Sequence, residues 1–133
     1  MAQILLIDDQ ESVLTSLSIL LKRHGYRVEC GRNLSDAEGF LSRQSFDLVI
    51  TDLRMGGPLE GMQVLQAALE KDPAVPVIIM TGYPSLDTAI EAIHSGASDF
   101  LVKPFRLQDI KIILERINKY RLLMEKNIML HQE

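Results

Sequence analysis

Short apolar runs alternate along this chain with stretches in which apolar residues recur every three or four positions. The runs cover residues 4–7, 48–52, 76–80 and 99–102, and they predict β-strands. Residues 26–30 instead alternate apolar with charged side chains, which predicts a strand with one solvent-exposed face at the edge of a sheet. The spacing of the intervening stretches predicts helices, so five strands alternate with five helices.

Individual residues mark the helices. Asn33 can cap the second helix through Asp36, because an asparagine side chain accepts a hydrogen bond from an amide in the first turn. The fourth helix is predicted to stop at Gly96. Four apolar residues recur within it at helical spacing: Leu86, Ala89, Ile90 and Ile93.

Strict alternation of strands and helices predicts an α/β fold. Connections between parallel strands are right-handed, so the helices cover both faces of a parallel sheet. With the alternating strand at the edge, we expect a doubly wound (βα)5 sheet with strand order 2-1-3-4-5. In that order the carboxyl ends of the first and third strands flank the point where the winding direction reverses, which is where open sheets bind ligands.

Composition narrows the classes of function. The chain has 133 residues, 47% of them hydrophobic, which suffices for one globular domain. A net charge of -4 gives no electrostatic reason to bind nucleic acid or an anionic membrane. The first apolar run lacks the flanks of a signal peptide, so we expect a cytoplasmic protein. Cys30 is the only cysteine, and we expect it to be a small buried residue.

Polar side chains follow four of the predicted strands. Asp8 and Asp9 follow the first strand and Asp52 ends the third. Thr81 and Lys103 end the next two strands. Because the carboxyl ends of parallel strands meet at one edge of a sheet, we expect these five side chains to converge.

Such a group can support phosphoryl transfer. Three carboxylates at close range repel one another unless a cation lies among them, and oxygen ligands without histidine or cysteine favour Mg²⁺. Aspartate is a known nucleophile in phosphoryl transfer, and Asp52 is our candidate. Lys103 can neutralise the incoming phosphoryl oxygens, and the Thr81 hydroxyl can donate a hydrogen bond to one of them.

These motifs closely resemble those of the receiver domains of bacterial two-component response regulators, which have a flavodoxin-like fold. The likeness runs over residues 3–117, and its motifs are the aspartate pair after the first strand, the third strand ending in aspartate, Thr81-Gly82 and Lys103-Pro104-Phe105. The resemblance implies that Asp52 accepts phosphate from a sensor histidine kinase or phosphotransfer protein. It also implies that Asp8, Asp9, Asp52 and the backbone carbonyl of Arg54 hold Mg²⁺.

The resemblance further implies a conformational switch. In it, the Thr81 hydroxyl moves toward the new phosphate and Phe100 turns inward. The change would appear on the face formed by the fourth helix, fifth strand and fifth helix, and would control an output domain or partner, with transcription regulation as one outcome. The domain would not be an enzyme, although it assists its own phosphorylation and dephosphorylation.

We expect the receiver domain to cover residues 1–119 and a helical extension to cover residues 120–133. The apolar spacing continues past the expected end of the domain through Ile117, Tyr120 and Met124, without glycine or proline. This extension could be a linker or a dimerisation segment. We expect a homodimer that forms through the switching face, the extension or both.

Three other functions compete with the phosphoacceptor switch. A pseudo-receiver would keep the fold and bind partners without phosphorylation. A phosphatase with an aspartate nucleophile needs a second aspartate two residues later, where this chain has Arg54. A flavin carrier needs a Ser/Thr-rich loop after the first strand, where this chain has two carboxylates that would repel phosphate.

Overall fold

The computed structural model describes residues 2–55, 57, 60–82 and 85–131. Within these residues, five strands alternate with five helices, as predicted. In chain order they are β1 (Gln3–Ile7), α1 (Glu11–Arg23), β2 (Arg27–Gly31), α2 (Leu34–Arg43), β3 (Leu48–Asp52), α3 (Glu60–Lys71), β4 (Val77–Thr81), α4 (Leu86–His94), β5 (Asp99–Val102) and α5 (Leu107–His131). The chain divides into two compact units, Met1–Lys103 and Pro104–Glu133.

The first unit contains a five-stranded parallel sheet with strand order β2-β1-β3-β4-β5, which confirms the predicted fold class. Strands β3 and β4 are buried along their whole length, as apolar runs in a parallel sheet require. β2 is the exposed edge strand that its alternating sequence predicts.

The prediction that Cys30 is buried is wrong. Cys30 is exposed, although partial burial of its thiol still raises the pKa above the usual value. The reason lies in its strand, because an edge strand has a neighbour on one side only. In β2 the residue that becomes buried is Gly31.

Capping interactions begin two of the helices. The Asn33 side chain accepts a hydrogen bond from the Asp36 amide at 2.8 Å, which confirms the predicted cap of α2. At the start of α4, Ser85 and Thr88 form a reciprocal capping box. Each cap satisfies amide groups that have no partner within the helix.

The apolar spacing in α4 identifies the helix correctly, and the face that it marks is largely exposed. Leu86 is 76% exposed, and Ile90 and Ile93 are each 46% exposed, whereas the buried residue of this helix is Ala92. Val102 on β5 is also exposed. Helical periodicity reports that apolar residues share a face, and in α4 much of that face remains in contact with solvent.

The second unit begins at Pro104 and contains α5. This helix has 25 residues, and Ile110, Ile113 and Leu114 on it are buried. The side chains of Tyr120 and Met124, which carried the predicted continuation, lie outside the described residues. The proposed boundary near residue 119 stays a prediction. Within the described residues, no helix is long and apolar enough to cross a membrane.

The backbone around the end of β3 is tightly packed. The Leu53 amide donates to the Met80 carbonyl at 2.8 Å, and the Gly61 amide donates to the Leu53 carbonyl at 2.9 Å. A Cβ atom on Gly61 would overlap the carbonyl oxygen of Asp52 and lie 2.6 Å from the Cα atom of Leu53. The first turn of α3 therefore lies directly against the main chain of Asp52, and a side chain cannot fit between them.

We expect Gly61→Ala to destabilise the protein by about 2 kcal/mol or more, because the added methyl group meets backbone atoms that cannot rotate away. Gly39→Ala in α2 is the matched control. A Cβ there meets only the end of the Arg43 side chain at 4.0 Å, so we expect stabilisation of up to about 1 kcal/mol from higher helix propensity. Urea unfolding of both variants tests this, and equal changes in stability would contradict the close approach.

Candidate functional site

The strand register brings the predicted site residues to one edge of the sheet. Ile7 pairs with Thr51 on adjacent strands, so Asp8 and Asp52 follow at the same level. Thr81 pairs with Val102 where β4 and β5 end, so Lys103 follows one residue beyond that edge. The parallel arrangement therefore joins parts of the chain that are far apart in sequence.

Three carboxylates meet at this edge. One carboxylate oxygen from each of Asp8, Asp9 and Asp52 could bind a metal ion, and these three oxygens lie within 4.8 Å of one another. Asp8 is fully buried and Asp52 is 6% exposed, whereas Asp9 is exposed. The group thus combines two carboxylates in the protein interior with one at the solvent boundary, and solvent can reach it from the side of Asp9.

Lys103 supplies the positive charge in this group. Its Nζ atom lies 2.6 Å from Oδ2 of Asp8 and 3.5 Å from Oδ1 of Asp52. The other oxygen of Asp8, Oδ1, accepts a hydrogen bond from the Gln10 amide at 2.9 Å. Asp8 is therefore held on both sides, and it in turn holds the lysine next to Asp52.

Asp52 is the titratable group that this environment perturbs most clearly. Burial, followed by the charge of Asp8, raises the pKa of Asp52 from 3.8 to about 6. The Lys103 ammonium acts in the opposite direction, and Asp9 adds a smaller repulsion. Desolvation outweighs the lysine because burial penalises the charged carboxylate directly.

Thr81, Phe100 and Arg54 lie at or near the same edge. Thr81 is buried at the end of β4, and its carbonyl accepts a hydrogen bond from the Lys103 amide at 2.7 Å. Phe100 on β5 is half-buried and packs against the main hydrophobic cluster of the core. Arg54 is two residues beyond Asp52 and is exposed. Their roles as switch residues and as a carbonyl ligand stay predictions.

Two contacts at this site are absent from the predictions made from the sequence. The Gln10 amide binds Asp8, and the buried Thr51 hydroxyl donates a hydrogen bond to the Asp52 carbonyl at 3.0 Å. An Asp-x-x pattern in a loop suggests the first contact, because aspartate often binds the amide two residues later. Nothing in the sequence of residues 48–52 indicates that the Thr51 hydroxyl makes this hydrogen bond.

The donor set fits a hard divalent cation. Within the described part of the chain, these three aspartates are the group of carboxylate, imidazole or thiolate side chains that could hold a metal ion. Their oxygen atoms suit Mg²⁺ or Ca²⁺ better than zinc or copper, which prefer nitrogen and sulfur ligands. A divalent charge would also offset the repulsion that raises the pKa of Asp52.

The sequence is similar to those of known regulators. The family model described as response regulator receiver domain matches residues 4–115. The transcriptional regulatory protein ZraR of Klebsiella oxytoca is 38% identical over 125 residues, which are 94% of this chain. That alignment covers 28% of ZraR, so the chain corresponds to a minor part of that protein.

Solved structures have the same architecture. A response regulator receiver domain protein from Clostridium thermocellum superimposes with a TM-score of 0.81 at 36% identity, and the match covers 92% of this chain and 99% of that one. The beryllofluoride-activated NtrC4 receiver domain dimer has a TM-score of 0.81 at 32% identity, covering 88% of this chain and 96% of that one.

We expect Asp52→Asn to stabilise the protein at pH 7.5 without divalent cations by about 2 kcal/mol, because it removes a carboxylate whose ionisation is disfavoured. The folded pKa of about 6 lies above the ordinary 3.8, so this group's contribution to stability falls as the pH rises from about 4 to 6. The advantage of the variant should therefore shrink at pH 4.5.

Urea unfolding at both pH values measures this effect. Glu38→Gln, which removes one exposed negative charge from α2, is the control and should change stability by less than about 0.5 kcal/mol. An Asp52→Asn variant no more stable than the wild type at pH 7.5 would contradict the assigned cost of burying the charged carboxylate beside Asp8.

Proposed function

The chain belongs to the response regulator receiver domain family, and from this premise we propose that Asp52 accepts a phosphoryl group from the phosphohistidine of a sensor histidine kinase or phosphotransfer protein. The observation that carries the proposal is the group of Asp8, Asp9 and Asp52 oxygens within 4.8 Å of one another, with Lys103 beside two of them. We propose that the reaction occurs in the cytoplasm.

In the proposed reaction, a carboxylate oxygen of Asp52 attacks the phosphorus atom of the donor. A phosphorus–oxygen bond forms while the phosphorus–nitrogen bond breaks, and the imidazole leaves with that electron pair and takes a proton from solvent. Mg²⁺ would be held by Asp8, Asp9, Asp52 and the backbone carbonyl of Arg54. In that place it would neutralise charge on the phosphoryl oxygens.

In the proposed reaction, Lys103 and Thr81 complete the site. Asp8 holds the lysine ammonium 3.5 Å from Oδ1 of Asp52, which is within reach of an oxygen on a phosphoryl group attached there. The cation, together with the proposed Thr81 hydroxyl donor, would offset the charge that phosphoryl transfer concentrates on the oxygens. The chain would thus assist its own phosphorylation and dephosphorylation without acting on a separate substrate.

The output of the switch would be a change on α4 and β5. Phosphorylation adds about two negative charges beside Thr81, which is enough to shift an equilibrium between two conformations of the loop and helix that follow. Thr81 and Phe100 are the proposed switch pair. α4 and β5 expose four apolar side chains that a partner could cover: Leu86, Ile90, Ile93 and Val102.

We propose that the partner is a second copy of this chain. The NtrC4 receiver domain, which is 32% identical, is described as a dimer in its beryllofluoride-activated state. Considered by itself, α5 also exposes apolar side chains at Ile112, Leu122 and Leu123, which would suit the proposed role of residues 120–133 in dimerisation. Its relative ZraR is named a transcriptional regulatory protein, and we propose that this chain likewise controls transcription, through an output domain.

We expect the protein to gain about 80 Da in intact mass when it is incubated with acetyl phosphate and Mg²⁺. Asp52→Asn should abolish the gain because the nucleophile is lost, and Lys103→Met should slow it by removing the cation. Glu38→Gln should react as the wild type does. A pseudo-receiver would gain no mass, and phosphorylation of Asp52→Asn would contradict the assignment of the acceptor.

We expect beryllofluoride with Mg²⁺ to shift the protein toward a dimer in sedimentation velocity experiments. Ile90→Lys should weaken that dimer by roughly tenfold or more, because it places a charge in an apolar contact. Ile19→Lys on α1 is a matched control, since Ile19 is 48% exposed and Ile90 is 46% exposed. Equal effects of the two substitutions would argue against α4 as the dimer surface.

A further inference from the structure

We propose that the Thr51 hydroxyl is a positioning group for the Asp52 nucleophile. This inference rests on the proposed function of Asp52, and it assigns a role to a residue that does not touch the phosphoryl group. Thr51 acts through the main chain, because its hydroxyl donates a hydrogen bond to the Asp52 carbonyl at 3.0 Å.

The hydroxyl holds one end of a single peptide unit. That unit consists of the Asp52 carbonyl and the Leu53 amide, and the amide donates to the Met80 carbonyl on β4 at 2.8 Å. With Thr51 at the oxygen and Met80 at the nitrogen, the plane of the peptide is fixed from both sides. Rotation of this plane would reorient the residues on either side of it.

The surroundings leave this hydrogen bond without competition from solvent. Thr51 is 0% exposed, Leu53 is 1% exposed, and Gly61 lies so close to the same carbonyl that a Cβ atom on it would overlap the oxygen. A buried hydroxyl costs free energy unless it is hydrogen-bonded, and valine has the same shape without that cost. A threonine in the buried strand β3 is therefore explained by the bond that it makes to Asp52.

The orientation of this peptide matters for the proposed reaction. It connects the Cα atom that carries the nucleophile to the segment that carries the Arg54 carbonyl. Phosphoryl transfer depends mainly on positioning, so a small displacement of the nucleophile lowers the rate even when the fold is intact. A residue that only stabilised the fold would leave the rate per folded molecule unchanged.

Thr51→Val and Thr51→Ser separate the hydroxyl from the shape of the side chain. We expect Thr51→Val to slow phosphorylation by acetyl phosphate roughly three- to tenfold, which corresponds to the net worth of one hydrogen bond. Thr51→Ser retains the hydroxyl and should react within about twofold of the wild type. Thr15→Val on the exposed face of α1 is the control and should have no effect on the rate.

Hydrogen exchange gives a second readout that needs neither Mg²⁺ nor a phosphodonor. In Thr51→Val, we expect the Leu53 amide to exchange roughly tenfold faster than in Thr51→Ser, because the peptide is held at one end only. Rates are compared per folded molecule, with the folded fraction measured by urea unfolding. A Thr51→Val variant with wild-type phosphorylation and exchange, or a Thr51→Ser variant as slow as it, would overturn the proposal.

If Thr51→Val does not fold, Thr51→Ala and Thr51→Ser decide the question, since they differ only in the hydroxyl. A faster reaction of the serine variant supports the positioning role, and equal rates overturn it. The proposed function fails separately, through phosphorylation of Asp52→Asn or no reaction of the wild-type protein. A negative result for Thr51 therefore leaves the role of Asp52 intact.

Discussion

The burial of two carboxylates that also repel one another, at the end of the sheet, is the constraint on which the site depends. Asp8 and Asp52 are both buried, and an ionised carboxylate in the protein interior is costly unless a positive charge lies nearby. Lys103 provides that charge, 2.6 Å from Asp8. The pKa of Asp52 is nevertheless raised to about 6, so the lysine compensates only in part. The site is therefore suited to a further cation.

The parallel sheet is what makes this arrangement attainable. Asp8, Asp52 and Lys103 come from separate strand ends, and the strand order 2-1-3-4-5 gathers them at one edge. The backbone at the end of β3 is held by hydrogen bonds to β4 and α3, which keeps Asp52, the proposed nucleophile, in register with its neighbours. The same few residues around Asp52 therefore matter for both stability and the proposed function. The main chain there leaves no space for a side chain at Gly61.

Sequence reasoning predicted the sheet and the site because both follow from local patterns. Apolar runs that end in polar residues specify buried strands and the polar edge of a parallel sheet, and this logic places Asp8, Asp52 and Lys103 correctly. It failed where burial depends on neighbouring elements. Cys30 is exposed at an edge strand, the periodicity of α4 does not indicate how much of its apolar stripe is exposed, and the Thr51 contact requires the backbone geometry at the end of β3.

Calorimetric titration with Mg²⁺ at pH 7.5 tests the central claim most directly, namely that the carboxylates form one cation site. Asp9 is exposed, so Asp9→Asn should leave the fold intact while removing one ligand oxygen. The account predicts that one Mg²⁺ binds per wild-type chain. It predicts that Asp9→Asn binds Mg²⁺ at least roughly tenfold more weakly than the wild type, and that Glu38→Gln binds it with unchanged affinity. Equal binding to the wild type and to Asp9→Asn would contradict it.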